Sequence, residues 1–373
     1  MSHRHRRFLF WIAGGVLAGF VLSLELIYGS WFKAPGLWNL GIIRNADWSI
    51  DVSAYYQHEG PIRYKRDYFG LRGNYGQPRD ISLLAIGNST TDQRQVSENE
   101  TWTARLDACL KGRGLPVNAA NAGVTGQTLR GMANNFDLWF SHIPGLKPRW
   151  VVAYFGATEI DLEGREDSDD VRRYYETGKA PPKWKNFQNW LKMNSALNKL
   201  FADVKTNIKA WRRPDSPNSR PPGQDAGERA DQAVNRNLAE SKASAVRLDS
   251  PEFLAMKRKS EADLQDSLQK FEARLVRLEE SIRAFGAEPI FVTQNSARYR
   301  IKDGLVWGDL ELFLRLQALA ERTLQVCRSR NIQCLNLAGE LSLEDGDAYD
   351  GAHITAKGSA RLANYLCARL RLN

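Results

Sequence analysis

The stretch "LLAIGNSTTDQ" at residues 83–93 joins an apolar run to a cluster of small polar residues. The apolar run stops at Gly87, and Ser89 follows two residues later. Glycine, asparagine, serine and threonine are ordinary turn residues, so the stretch alone predicts a turn after a buried strand. Whether Ser89 has a chemical role depends on which other residues the fold brings to the same place.

An alternation of strands and helices begins with this stretch. Residues 81–87 are a continuous apolar run, typical of a strand buried on both faces of a sheet. Further strands are predicted at residues 117–121, 150–156, 289–294 and 332–337. Segments with helical character lie between and after them, at about residues 100–112, 127–141, 258–286, 309–330 and 356–370. The alternation predicts a three-layer α/β/α fold around a five-stranded parallel sheet.

Local signals predict where some of these helices begin and end. Asn99 and Thr355 precede helical segments and are typical N-cap residues. Apolar residues from Leu264 to Phe285 are spaced by three and four positions, which indicates one long helix with a buried face. A coiled coil has the same spacing, but the strand that follows at once favours packing on the sheet. Gly286 lies where a glycine commonly ends a helix.

Residues 8–28, "FLFWIAGGVLAGFVLSLELIY", form one long apolar run that only Glu25 interrupts. About 20 apolar residues span a bilayer as a helix. Arginines precede the run, which predicts a single-pass anchor in the inner (cell) membrane with a cytoplasmic N-terminus. Everything after residue 30 is then extracytoplasmic, in the periplasm. A cleaved signal peptide is the alternative, disfavoured because bulky Trp31 and Phe32 follow the run.

The formal net charge of +9 is concentrated in two segments. Residues 1–7 hold three arginines and no acid, and residues 183–213 hold eight lysines or arginines against one aspartate. The rest of the chain is near neutral, which argues against a protein built around nucleic acid. The segment at 183–213 is amphipathic and predicts either a helix packed on the body or an interfacial helix on anionic lipid.

These features divide the chain into five parts. Residues 1–32 are predicted to be a basic tail with a transmembrane anchor, and residues 33–80 a loop-rich lead-in. Residues 161–257 are predicted to be an insertion with the basic amphipathic helix and a disordered, Pro-rich segment. The insertion separates two parts of one α/β domain, residues 81–160 and 258–373.

The four cysteines leave two interpretations open. Outside the cytoplasm some of them would pair as disulfides, although their spacing does not indicate which. Free, buried thiols are the alternative for Cys109, Cys327, Cys334 and Cys367. The sequence contains no Cys/His cluster with metal-ligand spacing, so neither a metal nor another cofactor is predicted.

Polar residues follow every predicted strand. The carboxyl ends of parallel strands meet at one edge of a sheet, where ligands bind in such folds. This edge receives Ser89, the glycine loop 121–128, Thr158, Asp350 and His353. A serine hydroxyl becomes a nucleophile when a base accepts its proton. Neutral imidazole suits that role, and a neighbouring carboxylate fixes its tautomer, so the set predicts a catalytic triad.

Four sequence blocks at this edge resemble those of the SGNH, or GDSL-type, hydrolase superfamily. They are Gly-x-Ser after the first strand, "NAGVTG" after the second, Gly-x-x-acid after the third and Asp-x-x-His near the C-terminus. They occur in that order over residues 81–160 and about 258–373. The resemblance implies the flavodoxin-like sheet of that superfamily. It implies these roles: Ser89 as nucleophile and oxyanion donor, Gly126 as second oxyanion donor, His353 as base and Asp350 as its orienter.

Two blocks depart from the pattern of that superfamily. Asn88 stands where the family has an aspartate, a change that leaves the proton carriers intact. Thr158 stands where the family has an asparagine that donates to the oxyanion, so Thr158 is expected to be a third, imperfect donor. Losing one such donor lowers rates by about 10²–10³ in other enzymes. The alternatives are that another donor has taken over or that catalysis is weakened or lost. Glu159 and Asp161 are expected to be solvated or N-cap carboxylates.

The sequence thus predicts a membrane-anchored, extracytoplasmic serine esterase that acts through an acyl-enzyme. The lead-in "YKRDYFGLRG" is similar to those of membrane-anchored members associated with surface polysaccharides. This implies an acylated, in particular O-acetylated, carbohydrate as substrate and envelope polysaccharide-synthesis proteins as partners. The same triad would serve an O-acyltransferase, because both reactions share the acyl-enzyme. A degenerate, non-catalytic scaffold of an envelope assembly is the remaining alternative.

Overall fold

The computed structural model describes residues 3–29, 40, 42–160, 195–197, 200–201 and 245–372. The strands in these residues are β1 (Ala46–Ile50), β2 (Ile62–Arg66), β3 (Leu83–Gly87), β4 (Ala119–Asn121), β5 (Trp150–Phe155), β6 (Val246–Arg247), β7 (Glu288–Thr293), β8 (Tyr299–Lys302), β9 (Leu305–Gly308) and β10 (Gln333–Leu335). In the spatial order β4-β3-β5-β7-β10, five of them form one parallel sheet. Numbered along the chain, this is the flavodoxin-like order 2-1-3-4-5, which confirms the predicted sheet.

Helices lie on both faces of this sheet, as predicted. The helices in the described residues are α1 (His3–Tyr28), which belongs to a separate unit, and α2 (Ser89–Asp92), α3 (Trp102–Gly112), α4 (Leu129–Leu138), α5 (Ala157–Ile160), α6 (Pro251–Asp263), α7 (Gln265–Ala284), α8 (Leu310–Arg330), α9 (Leu337–Glu340) and α10 (Ala356–Arg369). Helices α3 and α10 pack against each other on one face, and α7 packs with α4 and α8 on the other.

The central strands are apolar throughout because both of their faces are covered. In β3 all five residues are buried. Leu83 and Ala85 share an apolar cluster with Trp102 of α3. On the opposite face the ring of Phe155 lies 6.4 Å from that of Phe271 in α7. The continuous apolar runs of the sequence therefore report burial on both sides, rather than a membrane or a one-sided sheet.

The lead-in, predicted to be loop-rich, instead contains an antiparallel hairpin. Strands β1 and β2 pair in register from Ala46 opposite Arg66 to Ile50 opposite Ile62. The alternate residues Ile62, Tyr64 and Arg66 of β2 are buried. A buried arginine at an inward position disguises the apolar alternation by which a strand is recognised. The hairpin belongs to the same compact unit as the parallel sheet.

Two other local details differ from the expectation. The long helix predicted from residue 258 is divided, because Leu264 leaves helical geometry between α6 and α7. Thr101, and not Asn99, caps α3, since its hydroxyl accepts the amide of Ala104. Asn99 lies one turn earlier, in a short 3₁₀ helix.

A small antiparallel sheet with the order β6-β9-β8 was also not predicted.

The predictions that Thr355 begins one helix and that Gly286 ends another are confirmed. The hydroxyl of Thr355 accepts the amide of Gly358 at the start of α10. Gly286, with a φ of +89°, ends α7 in the left-handed conformation that favours glycine.

All four cysteines are paired. Cys109 of α3 is bonded to Cys367 of α10, which joins the two helices on one face of the sheet. Cys327 of α8 is bonded to Cys334 of β10. The free-thiol alternative is therefore wrong. Each of the two disulfides joins neighbouring elements of the α/β layers.

The N-terminal helix α1, with residues 195–197 and 200–201, belongs to a second compact unit. Among the described helices, only α1 contains a segment, Phe10–Tyr28, that is long and apolar enough to cross a membrane, and signal sequences share these properties. The Glu25 carboxylate accepts hydrogen bonds from the amides of Ala196 and Leu197 at 2.9 and 3.1 Å. Most of the insertion predicted at residues 161–257 lies outside the described residues.

A buried ion pair ties the hairpin to the parallel sheet. The carboxylate of Asp92, in α2, accepts Arg66 Nη2 at 2.6 Å and the Tyr64 hydroxyl at 2.9 Å, both from β2. Only 3% and 1% of the Arg66 and Asp92 side chains are exposed. Burial alone would raise the pKa of Asp92, but the charges of Arg66 and Arg94 outweigh it and hold the pKa well below its usual range.

We expect Asp92→Asn to lower the free energy of unfolding by about 3–5 kcal/mol, because it leaves the Arg66 charge buried without its partner. Urea denaturation of the full chain in detergent measures this change. Asp47→Asn is the matched control, since Asp47 pairs with Arg63 on the exposed face of the same hairpin. Asp47→Asn should lower the free energy of unfolding far less. Equal losses in the two variants would contradict a stabilising role for the buried pair.

Candidate active site

Ser89 occupies the first position of α2, directly beyond the carboxyl end of β3. The side chain of Asn88 caps this short helix by accepting the Thr90 amide at 3.0 Å. The turn into it is tight: a Cβ on Gly87 would lie 2.1 Å from the Thr91 hydroxyl oxygen. Glycine at position 87 is therefore required for the turn that places Ser89 at the sheet edge.

The structure brings together the three residues of the predicted triad. His353 Nε2 lies 2.7 Å from the Ser89 hydroxyl oxygen, although 264 positions separate the two residues. His353 Nδ1 lies 2.7 Å from Asp350 Oδ2. When Nδ1 carries the proton and donates it to Asp350, Nε2 accepts the Ser89 hydroxyl. The arrangement is that of a nucleophile, a base and a carboxylate that orients the base.

The Asp350 carboxylate is held in its charged form. Its Oδ1 accepts the amides of Ala352 and His353 at 2.8 and 2.7 Å, and its Oδ2 accepts the imidazole. Burial alone would raise the pKa of Asp350, but the imidazole and the two amides outweigh it and lower the pKa. A carboxylate that stays ionised can stabilise a positive charge on His353 during proton transfer.

Aromatic rings pack behind the imidazole, a feature that the sequence did not indicate. Tyr349 stacks on His353 with ring centroids 5.6 Å apart and planes 9° apart, and Tyr56 stacks on the other side of Tyr349 at 5.7 Å. The Tyr349 hydroxyl donates to Gln95 Oε1 at 2.9 Å. Burial raises the pKa of Tyr349, so this hydroxyl remains a donor. Tyr349 and Tyr56 together form an aromatic wall behind His353, and Tyr56 is the part of it that the lead-in supplies.

Two backbone amides lie free in the loops predicted to bind an oxyanion. Among the described residues, the amides of Ser89 and Gly126 have no hydrogen-bond acceptor. Gly126 adopts a φ of +79°, which turns the chain between β4 and α4. The loop lies against α2, since a Cβ on Gly123 would lie 2.3 Å from the Asp92 nitrogen. Free amides at adjacent loops are the donors that a developing oxyanion requires.

The hydroxyl of Thr158, expected to be a third donor, is already engaged. It donates to the Gln127 carbonyl at 3.1 Å and accepts Asn88 Nδ2 at 3.2 Å. Its only proton therefore has an acceptor, and Thr158 joins the loops of Asn88 and Gln127 together. In this arrangement Thr158 holds the loops in place and offers no free hydroxyl proton.

Glu159 is buried, in contrast to the solvated alternative. Its Oε1 accepts the Leu129 amide at 2.7 Å. Glu159 thus bonds the first turn of α4 from another helix and is not itself an N-cap residue. Its Oε2 accepts Arg274 Nε at 3.0 Å. Because α4 begins directly after the Gly126 loop, Glu159 fixes the end of that loop. The other carboxylate considered with it, Asp161, lies outside the described residues.

No protein-family model matches the sequence, and a comparison with curated proteins finds no match. Solved structures with a similar fold include a catalytic mutant of an acetylxylan esterase from Geobacillus stearothermophilus (12% identity, TM-score 0.40, 78% of this chain and 94% of that chain). A GDSL-like lipase from Bacteroides thetaiotaomicron aligns over 77% of this chain and 84% of its own, with 11% identity and a TM-score of 0.34. At these identities and TM-scores, the similarities establish neither a family nor a function.

The lowered pKa of Asp350 predicts a pH-dependent contribution to stability. The native state binds this proton more weakly than the unfolded state, so the stabilisation is complete above the ordinary pKa of 3.8 and is lost as the pH falls below it. We expect the difference in unfolding free energy between the natural protein and Asp350→Asn to be largest at neutral pH and to shrink below about pH 4. Asp345→Asn, at a fully exposed carboxylate, is the control. A difference that grows in acid would contradict the assignment.

Proposed function

We propose that this chain is a serine esterase that removes an acyl group from a carbohydrate, with the acetyl group as the principal candidate. The observation that carries the proposal is the continuous hydrogen-bonded chain from the Ser89 hydroxyl through His353 to Asp350. A serine, an imidazole and an ionised carboxylate in this order are the machinery of acyl transfer through a covalent intermediate. The carbohydrate rests on the resemblance of the sequence blocks and the lead-in.

The proposed reaction has two stages. The Ser89 oxygen attacks the ester carbonyl while His353 Nε2 takes the hydroxyl proton, and Asp350 stabilises the imidazolium. The amides of Ser89 and Gly126 bind the oxyanion. The imidazolium then gives its proton to the departing sugar oxygen, and the acyl group remains on Ser89. Water, deprotonated by His353, releases the acyl group as an acid; a sugar hydroxyl in place of water would give transfer.

We further propose that the catalytic unit acts outside the cytoplasm, held to the membrane by α1. Arginines before the apolar segment favour a cytoplasmic N-terminus. The two disulfides support the same location, since disulfides persist in oxidising compartments and are rare in the cytoplasm. Surface polysaccharide is the acylated carbohydrate that such a location makes available, and envelope proteins that build it are the proposed partners.

The first test is covalent labelling of Ser89. We expect the full chain in detergent to react with a fluorophosphonate probe and to hydrolyse p-nitrophenyl acetate, and we expect Ser89→Ala to lose both activities. Ser141→Ala, at an exposed hydroxyl beyond α4, is the matched control and should retain both. A folded protein that neither reacts with the probe nor hydrolyses the ester would favour the non-catalytic scaffold instead.

The second test separates a positioning role of Thr158 from an oxyanion role. Because its proton already has an acceptor, we expect Thr158→Val to lower kcat for ester hydrolysis by less than about tenfold, whereas removal of an oxyanion donor costs about 10²–10³. Thr158→Ser keeps the hydroxyl and serves as the control. A loss of a hundredfold or more in the valine variant, restored in the serine variant, would assign the hydroxyl to the oxyanion hole.

A further inference from the structure

Arg94 is a second arginine on a carboxylate that is already neutralised. Asp92 Oδ2 accepts Arg94 Nε at 3.0 Å and the Thr125 hydroxyl at 2.8 Å, while Asp92 Oδ1 is occupied by Arg66 and Tyr64. Arg66 is buried and balances the Asp92 charge. Arg94 therefore brings a second positive charge to a carboxylate that Arg66 already balances.

The guanidinium of Arg94 is fixed at one side and open at the other. Its Nε is held by Asp92, whereas its two terminal nitrogens have no acceptor among the described residues. A quarter of the side chain is exposed. The neighbouring Gln93 has both ends of its amide bound, to Ser359 and to the Trp102 amide, and is buried. Arg94 thus presents a preoriented pair of N–H donors that the fold itself leaves unused.

Two contacts of its neighbours connect Arg94 to the surroundings of the triad. Its partner Asp92 also binds Thr125, whose neighbour in the chain is Gly126 with its free amide. On the other side, the next residue, Gln95, accepts the hydroxyl of Tyr349, the ring that stacks on His353. Arg94 is therefore linked through Asp92 to the loop of Gly126 and through its neighbour Gln95 to the aromatic rings behind His353.

We propose that Arg94 binds a carboxylate on the sugar of the ester substrate, so that the enzyme prefers acylated acidic sugars to neutral ones. This inference rests on the proposed function. A guanidinium with both terminal nitrogens available matches the two oxygens of a carboxylate, and such paired, charge-assisted hydrogen bonds are stronger than neutral ones. Arg94 does not take part in proton transfer, so its contribution is to the choice and placement of the substrate.

The experiment compares two substrates that differ only in charge: an O-acetylated methyl glucuronide and the methyl glucoside acetylated at the same position. For the full chain, kcat/KM should be higher with the acidic sugar. We expect Arg94→Gln to lower the ratio of the two kcat/KM values by about tenfold or more, the effect of one charge-assisted pair. Arg94→Lys keeps the charge without the planar guanidinium. Its ratio of kcat/KM values should lie between those of the natural protein and Arg94→Gln. Arg79→Gln, exposed before β3, is the control and should leave the ratio unchanged.

A binding measurement decides the proposal without relying on turnover. Calorimetry with methyl glucuronide, which carries no ester, should show binding to Ser89→Ala that the added Arg94→Gln change weakens by about tenfold. If Ser89 proves unreactive, the proposed function fails while this measurement still tests Arg94. A ratio and an affinity that are unaffected by Arg94→Gln would overturn the inference. Tighter binding of glucose 6-phosphate than of glucuronide would overturn the carboxylate assignment.

Discussion

The buried carboxylate of Asp92 is the interaction on which the site depends. Taking a charge out of water costs several kcal/mol, so a carboxylate in this position requires partners that compensate it. Those partners come from the hairpin, as Arg66 and Tyr64, and from the Gly126 loop, as Thr125. Asp92 lies three residues after Ser89, so the turn that carries Ser89 is held from both sides by this network.

Much of the fold follows from the apolar pattern. Strands β3, β5 and β7 are covered on both faces, and such strands leave a continuous apolar signal that needs no tertiary information. Their alternation with helices fixes a parallel sheet, and a parallel sheet places its loops at one edge. That reasoning brings Ser89 and His353 to the same edge across 264 positions, and the structure places them 2.7 Å apart. The catalytic role of this contact remains a prediction.

Several features that the sequence did not indicate share a physical cause: they depend on polar side chains in buried positions. Arg66 faces inward from β2, which removes the alternation that would mark the strand. Glu159 is buried because it bonds the Leu129 amide and Arg274, and neither partner lies near it in sequence. The stack of Tyr56 on Tyr349 joins residues almost 300 positions apart. Pairing of this kind depends on the completed fold, so a local pattern carries no signal for it.

The imidazole of His353 is held by contacts that do not involve Ser89. The loop that carries it closes on itself, with the Tyr349 amide donating to the His353 carbonyl at 3.1 Å and the Thr355 amide donating to the Asp347 carbonyl at 2.9 Å. The Asp350 carboxylate fixes the edge of the imidazole, and the Tyr349 ring fixes its face. Three constraints of different kinds thus define one orientation of the ring before any substrate binds. A preoriented base would need no rearrangement as the proton moves in the proposed reaction. Tyr56, in the turn of the hairpin, would support that orientation through its stack on Tyr349.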